Sequence, residues 1–267
     1  MISLDEAKRY CEEYTLNPSS EMRPLDAAVG YALAEETGPF AKHHTLRPID
    51  LTILAEAHID ELSVYQRPKV QVLLEPELST LSHSLQAAMA QKQFESSRAE
   101  LSLDNIQKAS EDHEVLILIC QDEKAMIEKL NSLELRHIFT EVNQSPGSQF
   151  SLSTMHNGTV IFTLASQNLA TAQILYRFYI HPYLQVSAGS RKLIQSRARL
   201  ADMFSYAKKT SRFLPVLRKQ GQTLNIQVKP TEADDFVQSD GFIILPEEQD
   251  DFPFGFESSY FSWSPIH

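Results

Sequence analysis

Apolar positions recur at helical spacing in the first part of the chain. Ser3 and Glu6 stand at the spacing of a capping box, and the apolar stripe around them predicts an opening helix. Pro24 at a first helical position, with apolar residues on one side as far as Leu33, predicts a second helix. The apolar spacing of Leu51, Leu54 and Ala55 predicts a third, short helix over residues 51–55.

The period changes after Arg67, where short apolar runs alternate with helical patterns. This alternation indicates a parallel sheet with helices on both faces. The run "VLILIC" is apolar throughout, which is typical of a strand buried on both sides. Strands are predicted at residues 69–74, 99–103 and 114–120, and helices at residues 84–94, 104–112 and 122–133.

The second half of the chain combines a hairpin, a long helix and further short strands. Asn157 and Gly158, placed between two β-type runs, predict a tight hairpin turn. Apolar residues in 169–181 predict a long helix that stops at Pro182. Beyond residue 189, short apolar runs separated by turns predict a small β-barrel or sandwich.

Composition and charge restrict the partners. Asp and Glu outnumber Lys and Arg by 35 to 24, and the net charge of −11 disfavours nucleic acid and anionic lipid. The two cysteines show neither metal-ligand spacing nor a disulfide pattern. The sequence shows no apolar run long enough to span a membrane and no signal-peptide pattern, so we expect a cytoplasmic protein.

One loop, "SPGSQFSL" at residues 145–152, has the outline of an anion-binding turn without the charge. Small polar residues flank a Pro-Gly turn, yet no Lys or Arg lies between Glu141 and Tyr176. Glycine is scarce as well, since the chain has 8 in 267 residues and about 7 % is usual. Loops that bind phosphate use glycine to bring backbone N–H groups close to the ligand, and no such glycine motif is present.

The order and spacing of these segments make the chain resemble the molybdopterin molybdenumtransferase family, which includes MoeA and the gephyrin E domain. "SLDEAKRYCEEY" and "PLDAAVGYALAEE" are similar to its two opening helices, and "VYQRPKV" to its V-Y-x-R-P-x-V pattern. "SPGSQFSL" stands where the family has K-P-G-K-P-L. "RFYIHPYL" is similar to the helix end after the family's P-G-N-P loop, and "SRFLPVL" and "SDGFIILPEE" are similar to its C-terminal barrel.

The resemblance implies an α/β fold, with a three-layer domain of the molybdopterin-binding type, a short helical N-terminal piece and a C-terminal β-barrel. Residues 1–66 would be the N-terminal piece, residues 67–188 the α/β domain, and residues 189–267 the barrel with an aromatic tail. The resemblance also implies a homodimer. The family's reaction releases AMP from adenylylated molybdopterin and inserts molybdate, with Mg²⁺ assisting.

The sequence departs from the family at the loops that carry this chemistry. "GPFAKHHTLRP" replaces the lobe that the family inserts after its second helix with a D-N-S-A-M-D-G-Y motif. The family's S-T-G-D-E-L, S-G-G-x-S-x-G-x-x-D and L-P-G-N-P-V-S loops read "LEPEL", "CQDE" and "LASQNLA". Both lysines of K-P-G-K-P are serines, Ser145 and Ser148. A pyrophosphate with bound molybdate needs such lysines, glycines and a metal, so we expect no catalysis and no catalytic residue.

A pocket degraded in this way would lie at the carboxyl ends of the strands, where α/β sheets place ligands. The acids there, including Glu123, are candidates for an old Mg²⁺ site. A solvated rim with helix caps is the favoured interpretation, and no metal is expected. Asn168 either keeps the place of the family's loop asparagine or simply caps the next helix. The predicted remnant pocket is Glu75, Glu77, Asp122, Ser145, Ser148 and Asn168.

Two other polar groups give weaker hypotheses. His43 and His44 could bind a metal, but neighbours on an extended segment point in opposite directions, and an exposed linker is the better interpretation. Ser82, His83 and Ser84 lie near a ligand end, without an identifiable acid to complete a triad.

The aromatic tail, "FPFGFESSYFSW", is the strongest signal outside enzyme chemistry. Aromatic residues dominate interface hot spots, so an exposed set would form a docking surface for another protein. Burial in the barrel is the favoured alternative, because aromatic side chains bury readily. The candidate partner surface consists of Phe254, Phe256, Tyr260 and Trp263.

The sequence thus predicts a divergent MoeA-like protein of molybdenum cofactor biosynthesis type, acting as a non-catalytic dimeric scaffold or interaction module. No cofactor is expected in that case. One alternative is an active molybdenumtransferase with a reorganised site, which would use Mg²⁺ and molybdopterin. Another is a protein that binds a nucleotide or pterin without chemistry. The predicted helices of residues 1–66 are expected to contribute to the dimer.

Overall fold

The computed structural model describes residues 1–165, 168–191, 196–206, 209–219, 226–231, 236 and 238–263. The helices are α1 (Leu4–Glu13), α2 (Pro48–Glu56), α3 (Ser79–Gln91), α4 (Leu103–Asp112), α5 (Glu123–Leu130), α6 (Leu169–Leu175) and α7 (His181–Ser187). A π-helical segment, Tyr176–Ile180, joins α6 to α7. The strands are β1 (Ser20–Pro24), β2 (Glu61–Tyr65), β3 (Val70–Leu74), β4 (Ser96–Glu100), β5 (Val115–Cys120), β6 (Arg136–Phe139), β7 (Gln144–Ser145), β8 (Phe150–Thr154), β9 (Val160–Ala165), β10 (Ser196–Leu200), β11 (Phe204–Ser205), β12 (Ser211–Arg218), β13 (Ile226–Pro230), β14 (Gly241–Leu245), β15 (Asp251–Phe252) and β16 (Glu257–Ser262).

The central sheet has six strands in the order β4-β3-β5-β9-β8-β6. The first four run parallel, and β8 and β6 are antiparallel additions. Alternate residues of β5 enter two cores: Ile117 faces α1, α3 and the long helix α6–α7, and Leu118 faces α4 and α5. The predicted α/β architecture with helices on both faces of the sheet is confirmed.

The long helix does not stop at Pro182, so that part of the prediction is wrong. The backbone N–H of His181 donates to the carbonyl oxygen of Tyr176, five residues earlier, in the wider turn of a π-helix. A proline inside an α-helix lacks an N–H and clashes with the carbonyl four residues before it. Here Pro182 directly follows the wider turn and stands in the first turn of α7, which continues to Ser187.

The opening helix is confirmed as α1, in which Ser3 and Glu6 make both hydrogen bonds of a capping box. The second helix, predicted from Pro24, is wrong. Strand β1 pairs antiparallel with β2 as far as Pro24, and a single 3₁₀ turn, Leu25–Ala27, follows. Gly30 then takes a φ of +77°, which turns the chain away from any helical path. Pairing with a distant strand has overridden the local helical pattern.

Helix α2 confirms the short helix predicted around residues 51–55. With β1 and β2 it forms a small lobe around a core of Ala28, Leu33, Leu46, Leu54, Leu62 and Val64. The buried Asp50 carboxylate accepts from the guanidinium of Arg47 at 2.8 Å and pairs with Nε2 of His44 at 2.8 Å. The hydrogen bonds from Arg47, followed by that from His44, hold the pKa of Asp50 well below its usual range.

The C-terminal strands form the predicted barrel. Its order is β13-β10-β16-β14-β12, and pairing of β12 with β13 closes it. Strand β7, from the loop that precedes β8, extends the same sheet by pairing parallel with β12. The α/β part therefore contributes a strand to the barrel sheet. Within the described residues, no helix combines the length and apolarity that crossing a membrane requires.

The aromatic tail does not form one surface. Tyr260 is 3 % exposed and lies in the barrel core, where Phe256 packs against it partly buried. Trp263 is also partly buried, and its Nε1 donates to Ser239 Oγ at 2.8 Å. Phe254 is 64 % exposed. The prediction of a docking surface made of all four aromatic residues is therefore wrong, because Tyr260 on β16 points into the barrel.

Candidate functional site at the carboxyl edge of the sheet

The segments that follow β3, β5 and β9 meet at the carboxyl edge of the parallel sheet. They carry Glu75, Asp122 and Asn168, respectively. Loop 145–149 lies at the same edge, because it precedes β8, which runs antiparallel to β9. The topology therefore brings the predicted pocket segments to one side of the molecule, where α/β folds bind ligands.

Glu75 and Glu77 have different surroundings. Oε2 of the half-buried Glu75 accepts a hydrogen bond from the backbone N–H of Gln121 at 2.9 Å, which ties the ends of β3 and β5 together. Glu77 lies in the 3₁₀ turn Pro76–Leu78 and is exposed. Across the part of the chain that the structure describes, no group of three His, Cys, Asp or Glu side chains is placed to hold a metal.

Asp122 and Asn168 cap the helices that follow them. Oδ1 of Asp122 accepts from the N–H of Ala125 at 3.2 Å, at the start of α5. Oδ1 of Asn168 accepts from the N–H of Ala170 at 2.8 Å, at the start of α6. Such caps satisfy backbone N–H groups that have no partner within the helix. Both side chains thus have a structural task at this edge.

A cation lies near this edge, in the first turn of α5. Lys124 has a side chain that is 75 % exposed, and its Nζ lies 3.9 Å from Oε1 of Glu141. An exposed pair at this distance contributes little free energy. This lysine is partnered by an acid, whereas the family's loop carries its two lysines within the Pro-Gly turn itself.

Turn 145–148 is held in shape by the residues beneath it. Nε2 of Gln144 donates to the Gly147 carbonyl at 2.7 Å, and the Tyr179 hydroxyl donates to Oε1 of Gln144 at 2.5 Å. Gly147 has a φ of +83°, and a Cβ there would lie 3.0 Å from the side chain of Leu175. Ser145 and Ser148 are both half-buried. Packing therefore requires this turn and its glycine, independently of any anion.

The other polar groups from the sequence make internal contacts. Nδ1 of His43 lies 2.9 Å from the Gly189 carbonyl oxygen, so His43 and His44 have separate partners in a half-buried segment and not in an exposed linker. Nε2 of His83 lies 2.9 Å from Nη1 of Arg98. Ser82 is buried and donates to a backbone carbonyl. These contacts offer no acid–base–nucleophile arrangement.

Solved structures of similar shape identify the architecture. A molybdenum cofactor biosynthesis protein from Pyrococcus furiosus matches with a TM-score of 0.75 and 17 % identity, over 98 % of this chain and 100 % of that one. A molybdopterin biosynthesis MoeA protein from Pyrococcus horikoshii matches with a TM-score of 0.76 and 14 % identity, over 100 % of both chains. A MoeA structure from strain OT3 of that species gives 0.75 and 12 %, over 98 % of this chain and 100 % of that one.

The fold is the MoeA fold. No family model matches the sequence, and no curated protein does. The likeness is one of three-dimensional structure, on sequences that have few positions in common. The MoeA-like architecture that the sequence motifs indicated is confirmed.

The MoeA fold of this chain concentrates charge at the opposite, amino edge of the sheet. There the ring of Tyr31 lies between two guanidinium groups, that of Arg23 at 4.1 Å and that of Arg67 at 3.9 Å from the ring centroid. All three residues line a cleft of about 680 Å³ between the lobe and the sheet. The sequence reasoning missed this cluster, and Arg67 in "VYQRPKV" was its one available signal.

The two arginines of this cleft have partners within the chain. Arg67 donates to the Gly30 carbonyl at 2.6 Å, to Oε1 of Gln93 at 2.8 Å and to the Gln93 carbonyl. Arg23 pairs with Glu21 at 2.5 Å. Burial lowers the pKa of Arg67 from its ordinary value. The cluster holds the lobe against the end of α3, which lies at this edge.

The long helix buries further polar groups beside this edge. His181 is 9 % exposed, and its Nε2 has no hydrogen-bond partner among the described residues. Burial, together with the charges of Lys92 and Arg177, lowers the pKa of His181 to about 3, so the ring is neutral at pH 7. Arg177 donates to the carbonyls of Ser262 and Trp263 at 2.9 and 2.6 Å, which joins the helix to the barrel.

Proposed function

We propose that this chain is a MoeA-like protein of molybdenum cofactor biosynthesis type that acts as a non-catalytic dimeric scaffold or interaction module. The proposal rests on the structural roles that side chains have at the carboxyl edge of the sheet. Asp122 and Asn168 cap helices there, and Glu75 ties β3 to β5. Groups that would hold a metal or a diphosphate in an enzyme are engaged in keeping this edge together.

Charge supports the same conclusion. Adenylylated molybdopterin and molybdate are anions, and stabilising them takes lysines and glycine-exposed backbone N–H groups. Between Glu141 and Tyr176 the sequence has neither Lys nor Arg, and serines occupy positions 145 and 148. We accordingly propose that the chain works in the cytoplasm without resident Mg²⁺ or molybdopterin.

Calorimetric titration with molybdopterin, AMP and molybdate, each in the presence of Mg²⁺, tests the proposal. We expect no saturable heat at ligand concentrations up to about 1 mM, which corresponds to less than ~4 kcal/mol of binding free energy. Saturable binding in the micromolar range would contradict the proposal. Molybdate insertion at the rate of a full-length MoeA protein assayed in parallel would establish the enzyme alternative instead.

A gain-of-charge variant provides the matched control for that titration. Ser145→Lys with Ser148→Lys restores the two lysines of the family's loop on a turn whose shape is kept by Gly147. We expect this variant to bind pyrophosphate measurably, whereas the native chain does not. Equal, weak responses of both proteins would mean that the missing lysines are not what limits anion binding.

We also propose that the chain is a homodimer, with α2 at the contact. Ile49 and Ile53 stand one helical turn apart on α2 and are 61 % and 42 % exposed. The apolar stripe of α1, by contrast, packs inside its own chain. Light scattering should give the mass of two chains for the native protein and of one chain for Ile49→Ser with Ile53→Ser. A native monomer at micromolar concentration would overturn the dimer.

A further inference from the structure

Two large apolar side chains project from neighbouring turns at one end of the barrel. Met203 is 80 % exposed and Phe254 is 64 % exposed. Met203 directly precedes β11, and Phe254 follows β15, with which β11 pairs antiparallel. Turns 201–203 and 253–256 therefore lie side by side. We call the surface that these two turns form the barrel tip.

The backbone of turn 253–256 fixes the position of Phe254. The N–H of Phe256 donates to the Pro253 carbonyl at 3.1 Å, and Gly255 takes a φ of +80° between them. The N–H of Gly255 donates to the Leu200 carbonyl at 2.8 Å, which attaches the turn to the end of β10. Phe254 therefore stands on a turn that two backbone hydrogen bonds hold in place.

The aromatic residues on either side of Phe254 anchor the base of the turn. Phe252 is 1 % exposed, and its ring meets that of Phe256 edge-on, with the centroids 5.0 Å apart. Phe252 and Phe256 thus face the barrel core while Phe254 faces solvent. A large aromatic side chain on a rigid support loses little conformational entropy on binding, which is a property of interface hot spots.

Acidic residues lie on the two segments that lead to the apolar side chains, and we call them the acidic rim; one of them, Asp251, accepts from the Ser205 hydroxyl at 2.6 Å. Asp202 is next to Met203 in the chain, and Asp250 and Asp251 come shortly before Phe254; all three acids are exposed. The tip is therefore an apolar centre with an acidic rim. A partner that buries the apolar centre must bring cations to the rim, because an uncompensated carboxylate would lose solvation there.

The cations that the structure describes near the tip are engaged elsewhere. Nε of Arg199 donates to Oε1 of Glu257 at 2.7 Å. The guanidinium of Arg212 lies 4.2 Å from the ring centroid of Tyr206. Both contacts are made within the chain, and additional positive charge for the exposed acids of the tip would come from a partner.

We propose that the barrel tip docks onto a basic protein segment that carries apolar side chains between its lysines or arginines. Met203 and Phe254 supply the buried contact, and the acidic rim selects and orients the partner. This inference rests on the proposed role as an interaction module, and it assigns to that role one surface and one class of partner.

A fluorescent amphipathic peptide of leucine and lysine, about 14 residues long, is the probe for this surface. The same peptide with glutamate in place of lysine is its control. We expect saturable anisotropy with the lysine peptide, and affinity about tenfold weaker for Met203→Ser with Phe254→Ser. Met22→Ser, at a site 62 % exposed on β1, is the matched variant and should bind like the native protein. Raising the salt to about 0.5 M should weaken the binding.

Melting curves of these variants should superimpose on the native curve, since the substituted side chains are exposed. Equal affinity of the native protein and the double variant for the lysine peptide would overturn the proposal, as would equal binding of the glutamate peptide. A native dimer that the double variant dissociates would make the tip a contact between copies, and the basic partner would then be wrong. The peptide experiment tests only the barrel tip. The calorimetric titration with molybdopterin, AMP and molybdate tests the proposed loss of the anion site, so the two proposals can fail separately.

Discussion

The two edges of the parallel sheet use charge in opposite ways. At the carboxyl edge, Asp122 caps a helix, and the cation Lys124 is largely exposed. At the amino edge, Arg23 and Arg67 enclose the ring of Tyr31. The first edge keeps the outline of a ligand site with little charge to bind a ligand. The second concentrates charge in contacts within the chain.

The difference shows that location in a fold and availability of charge are separate signals of function. The carboxyl edge is where an α/β sheet can bind a ligand, and its turn persists because Gln144 and Gly147 are needed for packing. The amino edge would attract attention by its arginines. Arg67, however, already binds the oxygens of Gly30 and Gln93. A charged group indicates a ligand only where the fold has not already given it a partner.

Arg67→Ala is expected to have the largest effect, because it removes the residue that joins the lobe to the α3 end. The Gly30 and Gln93 carbonyls would lose their donor, and Tyr31 would lose one of its two cations. We expect the free energy of unfolding in urea to fall by roughly 3 kcal/mol. Arg136→Ala, an exposed arginine on β6, is the control and should change it by less than about 0.5 kcal/mol. Equal effects of the two substitutions would contradict the conclusion that Arg67 stabilises the fold through its contacts at the amino edge.

Lowering the pH should reduce the free energy of unfolding, because His181 is buried in its neutral form. Its folded pKa of about 3 lies below the ordinary 6.5, so the unfolded chain binds the proton first and stability falls as the pH drops from 6.5 toward 3. Between pH 7 and pH 5 the loss is roughly 2 kcal/mol. His181→Phe removes this titration, and urea denaturation at both pH values should show a smaller difference for the variant. Parallel pH dependence of both proteins would mean that folding does not lower the pKa of His181.

The capping role of Asp122 predicts an effect of intermediate size. Asp122→Ala should lower the free energy of unfolding by about 1 kcal/mol, and Asp122→Asn by much less, since asparagine caps helices about as well. A magnesium ligand would behave differently, because amide oxygen is a poor replacement for a carboxylate. Melting temperatures measured with and without magnesium chloride distinguish the two roles. A magnesium-dependent rise that both substitutions abolish would assign Asp122 to a metal site.

Restoring lysines at the carboxyl edge should have the smallest effect on stability. Ser145 and Ser148 are half-buried, and a long lysine side chain can extend its ammonium group from such a position into water. We expect Ser145→Lys with Ser148→Lys to change the free energy of unfolding by less than about 0.5 kcal/mol. A large fall in melting temperature would show that these serines are tightly packed and that the turn never had room for lysines.

The sequence predicts an element well where the residues of that element alone decide its structure. The run of β5 is apolar on both faces because both faces are buried, and Ser3 with Glu6 sets the start of α1. Parallel strands also place their carboxyl ends together, so chain order alone brought Glu75 and Asp122 to one edge. Pro182 is misleading, because a π-helical turn precedes it and no local sequence pattern predicts that turn.

The charged cluster at the amino edge could not be predicted for a related reason. Arg23 lies on β1, Tyr31 in the loop beyond it, and Arg67 after β2. These residues approach one another only when β1 pairs with β2, whereas the local pattern from Pro24 onward predicts a helix. A wrong assignment of one local element thus concealed a cluster that depends on distant pairing.

The π-helical segment Tyr176–Ile180 gives the long helix one residue more per turn than an α-helix would have there. Loss of a single codon within it would remove that extra residue and leave an ordinary α-helical turn, which closes over four residues. The helix beyond it would keep its register, so Tyr183 and Leu184 would still face the core. Pro182 would then lie inside a regular α-helix, where a proline clashes with the carbonyl four residues before it and costs about 3 kcal/mol.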